Sequence, residues 1–209
     1  MSAIVLGVGP GLGMSLARAY GGTGRNVAVV TRRPNAAREY AEQLGAGGLG
    51  LAADLGDPDA VEAVVREAAE RLGAPDVVHY NASVLVEGTP SQIPLAGVEQ
   101  SWRVGCLGAW AALQAAVPLM DEGSAFFVTG GGLAVNPRPA ASALASAKAA
   151  LRNLVHSAAA ELTGIRVAMI TVMGVIEEGT DLSPDEIARN FLGLLEQTEP
   201  AVETVLPRA

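Results

Sequence analysis

The sequence predicts an α/β fold, a doubly wound parallel sheet of about seven strands flanked by helices. Two observations carry this expectation. Short runs rich in Val, Ile and Leu alternate with longer segments of helical period, the pattern of parallel strands joined by crossover helices. The 209 residues are 50% hydrophobic, enough to bury one sizeable core without disulfides or metals. No composition shift, long linker or internal repeat divides the chain, so residues 1–209 are read as a single domain.

The expected strands are 3–8, 26–31, 49–53, 76–80, 124–129, 165–172 and 202–206, each a short apolar run. A glycine-rich turn follows the first, and a helical segment begins at about Met14. After the third strand, Asp57 is placed to cap a helix with Pro58 at its first position. Val61, Val64, Val65, Ala68 and Leu72 then form one apolar stripe. Two long apolar helices are expected at 98–120 and 142–162. Ser183, Pro184 and Glu186 read as a capping box with proline at the first helical position, followed by Ile187, Phe191, Leu194 and Leu195 on one face.

Charge and composition exclude several partners. A net charge of -8 and a pI near 4.8 offer no clustered Lys and Arg to meet nucleic-acid phosphates or anionic lipid, so no nucleic acid is expected. The longest apolar stretches, such as 109–120, are too short and interrupted for a membrane span, and no basic residue precedes the first apolar run. No membrane association or export is expected. The single cysteine, Cys106, can make no intrachain bridge and suits a reducing cytoplasm. The expected partner is a small-molecule substrate.

The strongest chemical signal is the run Gly7, Val8, Gly9, Pro10, Gly11, Leu12, Gly13 between a strand and a helix. Positions without side chains let the backbone turn tightly and approach a pyrophosphate, while the following helix offers free N–H groups and a partial positive charge. In NAD-binding versions an acidic residue about twenty positions on bonds the ribose hydroxyls. Here the second strand ends in Thr31, Arg32 and Arg33. Guanidiniums present a fixed fork of donors to phosphate oxygens, so the 2′-phosphate of NADP is the expected partner and NADP(H) the expected cofactor.

The spacing Gly7-x-x-x-Gly11-x-Gly13, the pair Asp54-Leu55, the run Asn81-Ala82-Ser83 and the run Ser146-Ala147-Lys148-Ala149-Ala150-Leu151 together resemble the short-chain dehydrogenase/reductase family over nearly the whole chain. The resemblance implies a Rossmann-like sheet, places Asp54 and Leu55 beside the adenine, and lines the cofactor pocket with Asn81 and Ala82. A turn residue is the plainer reading of Asp54. The family works with Asn, Ser, Tyr and Lys, the tyrosine four residues before the lysine on one helix face. Of these only Lys148 is present: the aligned positions carry Gly105, Gly131 and Leu144. The proline-glycine pair that meets the nicotinamide carboxamide in the family reads Met173-Gly174, leaving Gly174 as the backbone contact. Family members usually pair through the two long helices, which implies a homodimer or homotetramer, with Trp102, Trp110, Leu113 and Leu154 as the apolar surface.

Lys148 has three readings: a ribose-binding cation, which is favoured, a direct acid with a depressed pKa, or a solvated residue. Asn136 and Arg138, in the loop before the lysine helix, are the substrate-side candidates, against an ordinary surface loop. Ser142 and Ser146 point to another helix face. His79, His156, Tyr80 and Trp102 read as packing residues, and nothing spaces the histidines as metal ligands. The expected function is an atypical NADP(H)-dependent oxidoreductase of a small carbonyl or alcohol, with a non-standard or weakened mechanism. The alternatives are an inactive NADP(H)-binding regulatory protein and a non-redox isomerase or cyclase in the same pocket.

Overall fold

The computed structural model describes residues 1–198 and 201–207. Seven strands form one parallel sheet in the order β3-β2-β1-β4-β5-β6-β7. They are β1 (Ser2–Leu6), β2 (Asn26–Thr31), β3 (Gly48–Ala52), β4 (Val77–Tyr80), β5 (Ala125–Gly131), β6 (Arg166–Val172) and β7 (Glu203–Leu206). The helices between them are α1 (Leu12–Gly22), α2 (Pro34–Gln43), α3 (Pro58–Leu72), α4 (Leu95–Trp102), α5 (Gly108–Ala116), α6 (Ser142–Glu161) and α7 (Pro184–Glu196). Every sequence-expected strand is present, with ends displaced by at most two residues.

Side-chain alternation divides the core into two layers. Ile4, Leu6, Val78, Tyr80, Phe126 and Val128 face one layer with α3, α5 and α6. Ala3, Val5, Val77, Ala125 and Phe127 face the other with α1 and α7. The central strands β1 and β4 are buried throughout because helices cover both faces. The chain runs outward from β1 to β3 and then returns to place β4 on the other side of β1. That reversal opens a crevice at the C-terminal ends of β1 and β4, where open α/β sheets bind their ligands.

Helix starts follow the sequence signals. Asp57 Oδ1 accepts from the Asp59 amide, and Val61, Val64, Val65 and Ala68 are buried. Ser183 Oγ accepts from the Glu186 amide at 3.4 Å. The Glu186 carboxylate does not complete the box, because it is paired with Arg189 instead.

The expected long helix at 98–120 runs from Leu95 to Leu119 but changes its winding part-way. Between α4 and α5, Arg103–Leu107 form a π-helical turn. The π-helical turn lies beside a close approach: a methyl on Gly108 would lie 2.1 Å from the Leu55 carbonyl oxygen and 2.3 Å from the Tyr80 hydroxyl, so the chain presses its backbone onto the β3 and β4 ends. The Tyr80 hydroxyl donates to the Val104 carbonyl at 2.5 Å, satisfying a backbone group within the turn. The expected apolar surface also changes. Leu113 and Leu154 are 8% and 6% exposed and belong to the chain's own core, since they face the sheet. Trp102 and Trp110 stay on the surface, joined by Leu107.

Candidate functional site

At the β1 end the backbone turns through Gly7, whose φ of 90° lies in the left-handed region. A side chain is excluded there twice over, because a methyl on Gly7 would lie 2.6 Å from the Ala82 nitrogen. The amides of Gly7 and Val8 both donate to the Val30 carbonyl, fixing the loop against the end of β2. Gly13 lets α1 approach the loop, its would-be methyl falling 2.7 Å from Val8 Cα. Gly9 and Gly11, in contrast, face open space. No side chain caps α1, so the Leu12 and Gly13 amides of its first turn point outward without helical partners. The loop is tight at Gly7 and Gly13, where it meets protein, and open at Gly9 and Gly11, a cradle that could hold an anion.

Arg32 and Arg33 stand beside this cradle, on the turn from β2 into α2. Both are exposed, and neither has a salt bridge or side-chain hydrogen bond among the described residues. Two unneutralised guanidiniums next to free amides leave the corner electropositive in a chain that is acidic overall.

The other expected cofactor residues are placed unequally. Asp54 is exposed and its Oδ1 accepts from the Gly56 amide, so one carboxylate oxygen shapes the turn and the other is open. Leu55 is 7% exposed and packs in the core, with its carbonyl oxygen against Gly108. Asn81 does not point its amide group outward. Its Nδ2 donates to the Gly7 carbonyl at 3.0 Å and its Oδ1 accepts from the Thr129 hydroxyl at 2.8 Å. Gly174 is exposed, with a would-be methyl 2.6 Å from Leu182 Cδ1.

Lys148 lies on α6, 7% exposed, and its Nζ donates to the Thr129 carbonyl at 2.8 Å. Burial pulls the ammonium down from its ordinary range to about 8, because the charged form is the one penalised by loss of water. The two glycines around it differ in the space they leave. A methyl on Gly131 would sit 3.9 Å from Lys148 Cε, so a serine side chain would have room. Gly105 has none to spare: its would-be methyl lies 3.0 Å from Ala147 Cβ, where the π-helical turn packs against α6.

Asn136 and Arg138 are both exposed. Arg138 lines a groove of about 510 Å³ with Leu133, Pro137, Ser142, Ala145 and Ala149. At helical spacing those α6 residues form a different face from Leu144 and Lys148, so the groove and the lysine are not brought together. Ser146 Oγ accepts from Trp102 Nε1 at 2.9 Å and Ser142 Oγ donates to the Gly88 carbonyl, which ties both to structure.

One feature escaped the sequence reading. His79, expected as a packing residue, is fully buried and hydrogen-bonded through both ring nitrogens, Nδ1 to the Tyr20 hydroxyl at 2.8 Å and Nε2 to the Thr129 hydroxyl at 3.0 Å. Burial holds its pKa down at about 3 and raises that of Tyr20, so both are neutral. The available signal was a histidine inside an apolar strand, since a buried imidazole requires partners. Tyr20 and Thr129 lie 59 and 50 residues away.

Comparison with known proteins decides the relationship. A family model described as short chain dehydrogenase matches residues 1–188. The chain belongs to the short-chain dehydrogenase family. Within it, the chain is 29% identical over 131 residues to versicolorin reductase from Emericella nidulans, covering 61% of this chain but 50% of that protein. The chain thus spans about half the length of that relative. It is 30% identical over 186 residues to (+)-cis,trans-nepetalactol synthase from Nepeta racemosa, covering 83% and 69% of the two chains. Among solved structures, a metagenomic short-chain oxidoreductase in complex with NADP superposes with a TM-score of 0.87 at 25% identity, covering 99% and 96%. Among the described residues no group of three or more His, Cys, Asp or Glu could hold a metal, and no helix is long and apolar enough to cross a membrane.

Proposed function

We propose that this protein is an atypical NADP(H)-dependent oxidoreductase that acts on a small carbonyl or alcohol through a non-standard mechanism. The observation that carries the reading is the open glycine cradle flanked by the unpaired Arg32 and Arg33. The related metagenomic oxidoreductase bound to NADP supports it. The Gly9–Gly13 backbone and the α1 N-terminus would hold the pyrophosphate, and the two guanidiniums the 2′-phosphate. Asp54, through its open carboxylate oxygen, and the Leu55 backbone would border the adenine. Bound nicotinamide would supply the redox chemistry.

Lys148 would hold the ribose, and at about 8 its ammonium is also acidic enough to give a proton to a developing alkoxide. Leu144 has no proton to offer, and Gly131 no hydroxyl to orient a carbonyl. Losing a positioned donor costs about 10²- to 10⁴-fold in rate, so turnover is expected to be slow. A cytoplasmic homodimer or homotetramer completes the reading.

A second reading, an NADP(H)-binding protein without turnover, is favoured by one observation: the positions aligned with the family's Asn, Ser and Tyr carry Gly105, Gly131 and Leu144, which have no polar side chain. Fluorescence titration with NADPH, followed by its consumption against a broad carbonyl panel, separates the two. Consumption supports the reductase, saturable binding without consumption the second reading, and absence of binding overturns both.

A further inference from the structure

The geometry points to Tyr20, His79 and Thr129 as positioning residues for the dinucleotide loop: they form a directional hydrogen-bond brace that ends on the Gly7 carbonyl and sets the loop's conformation. The inference rests on the cofactor reading of the glycine loop and assigns a role to three residues outside that reading.

The direction of the brace follows from its end. The Gly7 carbonyl can only accept, so the Asn81 group facing it at 3.0 Å is the Nδ2 amide and the opposite atom is Oδ1. Oδ1 can only accept as well, so the Thr129 hydroxyl spends its one proton there. The Thr129 oxygen must then accept from His79 Nε2, which carries the ring proton. His79 Nδ1 is left as the acceptor, and Tyr20 donates to it. Tyr20, His79 and Thr129 each have one proton and one place to give it, so the tautomer of His79 is determined. The series polarises in one direction, which strengthens each bond.

Topology turns this series into a brace. Tyr20 sits on α1, the helix whose first turn forms the cradle, and Gly7 opens the loop that leads into α1. The four bonds therefore connect the far part of α1 to the start of the loop through β4 and β5, adjacent strands in the middle of the sheet. Rings hold the middle: His79 lies 4.3 Å from Phe191 and 6.3 Å from Phe127, centroid to centroid. Thr129 also gives its carbonyl to Lys148, so one residue orients both the loop and the remaining tetrad lysine. His79 stays neutral, so the series positions groups and does not carry protons through the core.

The test compares Thr129→Val, which keeps the shape and removes the hydroxyl, with Thr129→Ser, which keeps the hydroxyl. Amide hydrogen exchange at Gly7 and Val8, whose amides bond Val30, reads the loop directly. Thr129→Val is expected to speed that exchange about tenfold or more, leave β6 protected, and raise the NADPH Kd by a similar factor. Thr129→Ser is expected to restore both, which a purely volumetric role would not produce. Tyr20→Phe, retaining the ring, is expected to give a smaller change of the same sign and decides the matter if Thr129→Val does not fold. Unchanged loop exchange in the folded variants, or equal loss in Thr129→Ser, overturns the brace. If the unmodified protein fails to bind NADPH, the cofactor reading falls, while the exchange measurement still judges the brace.

Discussion

Lys148 Nζ donates to the Thr129 carbonyl at 2.8 Å from a position only 7% exposed. A buried ammonium with a folded pKa of about 8, against 10.5 ordinarily, makes the unfolded state the stronger proton binder between those values. Stability is then expected to rise with pH across that window. Lys148→Met should flatten the rise, the difference amounting to roughly 3 kcal/mol or less. Denaturant unfolding of both proteins from neutral pH to about pH 10.5 measures it, and parallel curves would remove the buried-cation account.

Glu203 on β7 is held by Arg152, Thr171 and His156, with a carboxylate oxygen 2.6 Å from Arg152 Nη2. The Arg152 hydrogen bond is the largest influence lowering its pKa from 4.5 to about 2. The folded value lies below the unfolded one, so its stabilisation is present above about 4.5 and lost as pH falls through about 2. Arg152 is 40% exposed, which screens the pair. Glu203→Gln is expected to cost roughly 1–2 kcal/mol at neutral pH and to lose that deficit in acid. Urea midpoints at neutral and acid pH check this.

Arg32 and Arg33 are exposed and carry no ion pair among the described residues, and NADPH is expected to bind more tightly than NADH. Replacing both with alanine should weaken NADPH by about 10- to 100-fold while leaving NADH nearly unchanged. Equal affinity of the unmodified protein for the two cofactors would end the 2′-phosphate assignment.

Restoring the lost acid is expected to do little. Leu144→Tyr with Gly131→Ser puts a phenol one helical turn from Lys148 and a hydroxyl into available space. Gly105 packs on Ala147, however, so the third side chain cannot return without displacing α6 or the π-helical turn. Less than about tenfold gain in NADPH consumption is expected, because the relay stays broken and tyrosine overfills a leucine site. A rise of several hundredfold, with an unchanged circular dichroism spectrum, would identify a standard site lacking only its acid.

Trp102, Leu107 and Trp110 are 43%, 44% and 47% exposed on consecutive turns of α4, the π-helical turn and α5. A twofold homodimer or homotetramer through this surface is expected. Light scattering should give more than the monomer mass at high micromolar concentration, and Trp110→Glu should shift it toward monomer. A monomer in the unmodified protein would count against the assembly.

The sequence by itself determined the strand and helix order and the glycine-rich turn between β1 and α1, because those depend on residue type at local spacing. Asp57 starts α3 and Ser183 starts α7 through bonds to amides two and three residues away. The π-helical turn at Arg103–Leu107 was not legible, since it accompanies the approach of Gly108 to Leu55 and Tyr80. Nor was the division that left Trp110 outside and Leu113 within, which depends on where the sheet lies. The inward role of Asn81 and the partners of His79 were decided by tertiary structure alone. A buried polar atom must find a partner, but the chain settles which one only when strands 50 residues apart become neighbours.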